Sequence, residues 1–213
     1  MVKALIRNTA FFPKDLAENR KIKIIDGNIT DLSVHQITEL INDCDAIISC
    51  LGHNITLKGL FGKPRKLVFT AVKKVEESIR LSQKKCKFIL MSTTAYTNKK
   101  EGEQNTFGER IVFTILKALL PHHSDNIAAG DFLLYHIKKV ESIEWVLVRP
   151  DSLIDESTTS EVVIVDKKLR SPIFDPGKTS RINVAQFISD LLTNDSLWKE
   201  WRYKTPVIYN KIT

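Results

Sequence analysis

Short apolar runs alternate along this chain with longer segments of helical period. Six runs are predicted to be strands: 2–7, 22–25, 45–50, 87–91, 144–149 and 162–165. Most of them lack polar alternation, which is typical of parallel strands covered on both faces. The alternation therefore predicts an α/β domain, with a mostly parallel sheet between two layers of helices.

Helices are predicted between these strands by capping residues and by apolar side chains that recur every three or four positions. Ser33 and Gln36 have the spacing of a capping box ahead of an apolar stripe. Further helices are predicted from periodicity at 65–83, 107–120, 125–140 and 183–193.

The helix predicted at 107–120 is unusual because its apolar residues surround most of its circumference. A helix of this kind must be buried on nearly every side. We favour burial within its own domain. The alternative is an insertion over the strand ends, which would wall an apolar substrate pocket or meet the same helix in a second chain as a homo-oligomer.

Composition places the chain among ordinary globular proteins. It has 213 residues, of which 43% are hydrophobic and 27% charged, so one domain over 1–213 is expected. Its three cysteines lie in apolar stretches without paired spacing, which favours reduced thiols in a cytoplasmic protein and no metal site. The chain has neither the features of a secretion signal nor an apolar run of about eighteen residues, so we expect no membrane partner.

The charge balance is basic, with a formal net charge of +7 and a pI near 9.2. The lysines fall in scattered doublets, and neither arginines nor aromatic residues cluster beside them. This pattern indicates a solvated surface rather than a nucleic-acid-binding face. Some of the charge could still attract an anionic cofactor.

Six strings along the chain carry a family resemblance when they are taken in order. They are VKALIRN at 2–8, IIDGNITD at 24–31, SCLGHN at 49–54, LMSTTAY at 90–96, WVLVRPDSL at 145–153 and GKTSRINVAQFI at 177–188. Together they resemble the atypical short-chain dehydrogenase/reductases, which include NmrA-like sensors and biliverdin/flavin reductases. The resemblance covers nearly the whole chain and implies a Rossmann-like three-layer sandwich that binds NADP or NAD.

The resemblance also implies a cofactor site at the carboxyl ends of the strands. The matching positions are Arg7, Asp26, Gly27, Asn28, Ser49, Leu51, Gly52, Ser92, Arg149 and Pro150. Arg7 would pair with the 2′-phosphate of NADP, because a guanidinium fork matches phosphate oxygens. The alternatives are a surface arginine at a strand end and, at 26–28, a plain turn.

The catalytic positions match the family less closely. Ser92 would present a hydroxyl to the substrate, and His123 would be a proton donor near the place of the family's tyrosine. Tyr96 and Lys100 have the family's Tyr-x-x-x-Lys spacing, but they lie in a polar loop rather than at a helix start. We therefore interpret their spacing as a coincidence.

The family's first strand and glycine-rich turn have no counterpart here. Because that turn binds the pyrophosphate, cofactor binding by this chain is expected to be weak or absent. The missing strand is the central one in the 3-2-1-4-5-6 order, so two strand edges should lack partners. A misassigned start codon or an artificially shortened chain is the simplest explanation.

These observations predict an NAD(P)H-dependent oxidoreductase that acts on an unidentified small molecule. The alternative is a noncatalytic NmrA-like sensor or scaffold, which the poorly placed Tyr/Lys pair favours. Whether the chain is an enzyme stays open from its sequence.

Overall fold

A computed structural model of the protein describes residues 1–52, 65–137 and 142–211. Its strands are β1 (Val2–Ile6), β2 (Ile22–Asp26), β3 (Ala46–Ser49), β4 (Cys86–Met91), β5 (Ile143–Pro150), β6 (Ser152–Ile154), β7 (Val162–Val165), β8 (Lys178–Ser180) and β9 (Val207–Asn210). Its α-helices are α1 (Lys14–Ala17), α2 (Val34–Ile41), α3 (Leu67–Ser82), α4 (Phe107–Leu119), α5 (Pro121–Asp131), α6 (Arg181–Thr193) and α7 (Asp195–Trp201). A π-helical turn, Phe132–His136, continues α5.

The strands form a mostly parallel arrangement. The main sheet has the order β3-β4-β5-β9-β7, in which only β7 runs antiparallel to its neighbour. The strands β1 and β2 form a separate parallel pair, as do β6 and β8. The predicted Rossmann-like α/β class is confirmed.

Helices pack on both faces of the main sheet, which makes the architecture three-layered. Phe88 and Leu90 of β4 belong to one core, together with residues of α2, α3 and α5. Ile89, between them, belongs to a second core with α6 and α7. The alternation follows from the two-residue period of a strand, which turns successive side chains to opposite faces.

No described strand lies between β1 and β3, which pair only with β2 and β4 respectively. Apolar side chains beside this gap are incompletely covered. No side chain of β1 is fully buried, and Ile48 of β3 is 44% exposed. The described residues therefore contain the two open strand edges that the sequence predicts.

Most predicted elements agree with the structure, and the differences have local causes. The capping box is present, with Ser33 N donating to Gln36 Oε1 (2.8 Å) and Gln36 N donating to Ser33 Oγ (3.2 Å). The helix predicted at 125–140 begins earlier, because Pro121 suits a first helical position. Its predicted end falls partly on residues outside the described ranges. The short strand β9 was not predicted, although it lies in the sheet between β5 and β7.

The favoured prediction, that 107–120 is buried within its own domain, is wrong. Val112, Phe113 and Leu116 are only partly buried. On the outer face, four apolar residues at a spacing of four are 80%, 47%, 51% and 60% exposed: Phe107, Ile111, Ile115 and Leu119. The helix is therefore a surface helix, and only its tertiary neighbours decide which apolar residues are covered.

A buried guanidinium holds the carboxyl end of β5. Arg149 is 0% exposed, and its Nη1 donates to Glu103 Oε2 at 2.7 Å and to Tyr96 O at 3.1 Å. Its Nε donates to Thr205 O at 2.7 Å, and its Nη2 donates to Asp166 O at 3.0 Å. One side chain thus joins three loops that are distant in sequence.

Replacing Arg149 should destabilise the whole domain. In Arg149→Met the Glu103 carboxylate loses its buried counter-charge, so we expect the free energy of unfolding to fall by about 3–5 kcal/mol. Arg181→Met is the matched control, because Arg181 pairs with Asp155 on the surface, and its effect should stay below about 1 kcal/mol. Urea unfolding measures the free energy of unfolding of both variants. Equally small decreases in the two variants would contradict a central role for Arg149.

Candidate functional site

A cavity of about 210 Å³ lies at the carboxyl ends of β1, β2 and β3. Its lining residues are Leu5, Arg7, Gly27, Asn28, Ile29, Cys50, Leu51, Gly52 and Leu67. Ligands of open α/β sheets bind at this edge, next to the point where the strand order changes. The cavity also lies beside the gap between β1 and β3.

Five of the positions implied by the family resemblance meet in this cavity: Arg7, Gly27, Asn28, Leu51 and Gly52. They come from three different strand ends. The backbone fixes this approach, because Gly27 N donates to Ile6 O at 3.0 Å and so ties the end of β2 to β1. Asp26 is exposed and does not line the cavity.

Arg7 is the only cationic side chain of the cavity lining within the part of the chain that the structure describes. It is exposed and makes no ion pair with another described residue. A guanidinium without a carboxylate partner keeps its donors available for an anion. The cavity therefore combines apolar walls with one cationic group whose donors are available to an anion.

Two serine hydroxyls near this edge lack hydrogen-bond partners among the described residues. Ser49 ends β3, and Ser92 follows the neighbouring strand β4; both Oγ atoms are buried. An unpaired buried hydroxyl is unfavourable by about 1–3 kcal/mol, so such groups usually bind a ligand or water. Both positions were implied as cofactor-binding, and the unpaired hydroxyls fit a polar ligand there.

Three other implied site residues lie elsewhere. Arg149 does not line the cavity, because its guanidinium is bound by protein groups, and Pro150 beside it pairs within the sheet. His123 lies in the first turn of α5, where its ring stacks on Phe113 with 5.5 Å between centroids. The structure does not bring these residues to the cavity.

Tyr96 and Lys100 have separate partners. The buried Tyr96 hydroxyl donates to Asp131 Oδ1 at 3.1 Å, and burial together with the Asp131 charge raises the pKa of Tyr96 well above its ordinary value. Lys100 Nζ instead donates to Leu134 O and lies 4.6 Å from the ring centroid of Tyr135. A catalytic pair requires the opposite effect, a lysine that lowers the pKa of the tyrosine.

Sequence reasoning missed several contributors to the site. Cys50 and Leu67 line the cavity, and Asp125 accepts hydrogen bonds from Val68 N (2.7 Å) and Phe69 N (3.0 Å) at the start of α3. The contacts join residues more than fifty positions apart. No local pattern of spacing could have revealed them.

The sequence model of a family described as NAD(P)H-binding matches residues 1–195. The chain belongs to this NAD(P)H-binding family. This family member has a cavity at its strand ends, and no described residue of it forms a glycine-rich turn between β1 and β3. No curated protein matches its sequence.

Solved structures share the fold of this family member. An oxidoreductase from Lactococcus lactis is 18% identical, with a TM-score of 0.67 over 99% of this chain and 80% of its own. A wide-type short-chain dehydrogenase/reductase from Veillonella parvula, in complex with NADP, is 11% identical, with a TM-score of 0.66 over 98% of this chain and 82% of its own. An anaerobillin reductase from Escherichia coli O157:H7 is 15% identical, with a TM-score of 0.65 over 100% of this chain and 85% of its own.

Two kinds of feature are absent from the described residues. None of their helices has the length and apolar content needed to span a bilayer. They also contain no group of three or more histidine, cysteine or acidic side chains placed to hold a metal ion.

The Tyr96 hydroxyl should matter for packing rather than chemistry. We expect Tyr96→Phe to lower the free energy of unfolding by about 1 kcal/mol, because Asp131 loses one donor. Any NADPH-dependent turnover should stay within a few-fold of the parent. Urea unfolding and steady-state kinetics check the two parts, and a loss of about a hundredfold in turnover would identify Tyr96 as an acid catalyst after all.

Proposed function

We propose that this protein is an NAD(P)H-dependent oxidoreductase that reduces a small acceptor and holds the adenosine half of its cofactor in the strand-end cavity. The observation that carries the proposal is the meeting of the unpaired Arg7 guanidinium with the strand-end glycines Gly27 and Gly52. Membership of the NAD(P)H-binding family supports it. So do structural neighbours named as oxidoreductases.

Within this proposal each side chain has a defined task. Arg7 binds the 2′-phosphate of NADPH, Asn28 and the Gly27 backbone lie beside the adenine, and Leu51 and Gly52 border the ribose. The small volume of the cavity, about 210 Å³, suits part of a dinucleotide, since complete ligand pockets measure about 300–1,000 Å³. The other half of the cofactor would extend towards the ends of β3 and β4.

Ser92 is the residue we assign to the acceptor. Its buried hydroxyl has no partner among the described residues, so it can donate a hydrogen bond to a carbonyl or ring nitrogen without losing one. The bound cofactor supplies the hydride, while the protein orients the two reactants. Ser49 would donate to the cofactor from the neighbouring strand end.

The pyrophosphate is the part of the cofactor for which the described residues offer no binding group. In this fold a glycine-rich turn and a helix N-terminus provide it. We propose that an upstream strand, turn and helix complete the site in the active protein. The same strand would pair with the open edges of β1 and β3, and the helix would cover Ile48.

A noncatalytic dinucleotide sensor is the second candidate. The observation that favours it is the hydrogen bond from the Tyr96 hydroxyl to Asp131. Because of this bond, Tyr96 is not available near Ser92 as the catalytic tyrosine that the family resemblance implies. We propose a cytoplasmic location for either function. All three cysteines are free, and burial raises the pKa of Cys86 to about 12, as suits an unreactive thiol in a reducing compartment.

Cofactor affinity tests the assigned cavity. We expect this chain to bind NADPH far more weakly than a form extended upstream by the missing unit, because only the latter can bind the pyrophosphate. In the form that binds the cofactor, Arg7→Ala should lower the affinity for NADPH about tenfold or more and leave the affinity for NADH nearly unchanged. The reason is that only NADPH carries the 2′-phosphate that Arg7 would contact. Fluorescence titration measures both constants.

The control for this titration is Arg80→Ala, which removes an exposed arginine of α3 that is paired with Glu76. It should change neither affinity by more than about twofold. Equal losses for NADPH and NADH in Arg7→Ala would remove Arg7 from the site. Submicromolar NADPH binding by the 213-residue chain without an extension would contradict the need for an upstream unit.

Turnover separates the enzyme from the sensor. An enzyme should oxidise NADPH in the presence of at least one flavin, quinone or aldehyde, and Ser92→Ala should lower kcat while sparing NADPH affinity, because the lost hydrogen bond is made to the acceptor. Absorbance at the NADPH band follows the reaction. A protein that binds NADPH tightly but turns over none of these acceptors would support the sensor.

A further inference from the structure

Five large apolar side chains form one continuous exposed surface, which we term the α4 patch: Phe107, Ile111, Ile115, Leu119 and Phe174. Four of them recur every fourth residue along α4, so they form a single row about 18 Å long. Phe174 extends the row sideways, because its ring lies where a Cβ on Gly108 would approach it to 3.1 Å. No residue of the patch lines the strand-end cavity.

The helix that carries most of this patch exposes only positive charges. The exposed charged residues of α4 are Arg110 and Lys117, both cations. Its one acidic residue, Glu109, is buried, where it accepts hydrogen bonds from Thr106 N at 2.7 Å and Ser171 Oγ at 2.7 Å.

At the aromatic end of the patch the neighbouring charges balance. Next to Phe174, the Asp175 carboxylate is neutralised by Arg170, which donates to it through Nε at 3.0 Å and Nη2 at 2.6 Å. The chain as a whole has a formal net charge of +7. An occupant of the patch must therefore combine an apolar interior with negative charge at its rim.

Charge, rather than size, distinguishes the two obvious occupants. From their exposed fractions, the five side chains present on the order of 500 Å², which is comparable with the apolar part of the roughly 800 Å² that each partner buries in a stable protein interface. A second copy, however, would bring two cationic rims together. A lipid surface requires no complementary shape and attracts cations.

We propose that the α4 patch binds the surface of a bilayer that contains anionic lipids. The helix α4 lies in the plane of the interface, with its apolar row among the acyl chains and with Arg110 and Lys117 at the level of the headgroups. The expectation of no membrane partner came from the absence of a spanning segment, and a helix that lies on the surface needs none. The proposal is independent of the oxidoreductase function.

Vesicle co-sedimentation tests the proposal. The protein should pellet with vesicles of phosphatidylcholine and phosphatidylglycerol, and much less with phosphatidylcholine alone. The double variant Ile111→Ser/Ile115→Ser should lower the bound fraction about tenfold or more, because both substitutions remove apolar surface that the acyl chains would bury. Lys117→Glu should lower it about fivefold at low salt and less at high salt.

Leu81→Ser is the matched control, because Leu81 is 62% exposed on α3, away from the α4 patch. It should bind vesicles as the parent does. Thermal unfolding of each variant checks that the fold is kept, and Lys117→Glu alone decides the matter if the serine variant unfolds.

Two kinds of result would overturn the proposal. One is equal sedimentation with and without phosphatidylglycerol, or binding that neither the Ile111→Ser/Ile115→Ser variant nor Lys117→Glu reduces. The other is a parent that light scattering shows to be a dimer without lipid and a serine variant that is a monomer, which would assign the α4 patch to a second copy.

Discussion

The buried ion pair between Arg149 and Glu103 organises the carboxyl edge of this sheet. Glu103 also accepts hydrogen bonds from Asn98 N at 2.7 Å and Lys168 N at 2.8 Å. Burying two charges is unfavourable unless each is fully hydrogen-bonded, and here backbone groups from several loops complete the pair. Because those loops frame the segment between β4 and α4, the same interaction positions Ser92 at one end and the α4 patch at the other.

The other constraint is the open edge on each side of the gap between β1 and β3. A parallel sheet is stable when every central strand has two partners and both faces are covered. Here the β1–β2 pair is joined to the rest through α2, where Lys3 Nζ donates to Leu40 O at 3.0 Å, and through the residues around the cavity. Under the proposed function, the cavity between β1, β2 and β3 would hold the adenosine half of the cofactor, and a unit that fills the gap would bind the pyrophosphate.

The assignment of side chains to catalysis changes when the contacts are known. Tyr96 and Lys100 share a motif spacing but have different partners, Asp131 and Leu134 O. Ser92, identified by its place after a strand, is the residue whose buried hydroxyl still lacks a partner among the described residues. The Tyr-x-x-x-Lys spacing brings the two side chains together on one face when the backbone between them is α-helical, and residues 96–100 form no α-helix.

Features that depend on neighbouring residues could be predicted from the sequence. The strand at 162–165, the capping box of Ser33 and Gln36 and the helix 107–119 follow from local periodicity and hydrogen bonding. Features that depend on distant residues could not be predicted from the sequence. The exposure of Ile111, the burial of Arg149 and the capping of α3 by Asp125 each require contacts, or the absence of contacts, between segments that only the completed fold brings together. Local backbone preferences act within a few residues, whereas burial is decided by whichever surface packs against a side chain, and that surface belongs to the tertiary structure.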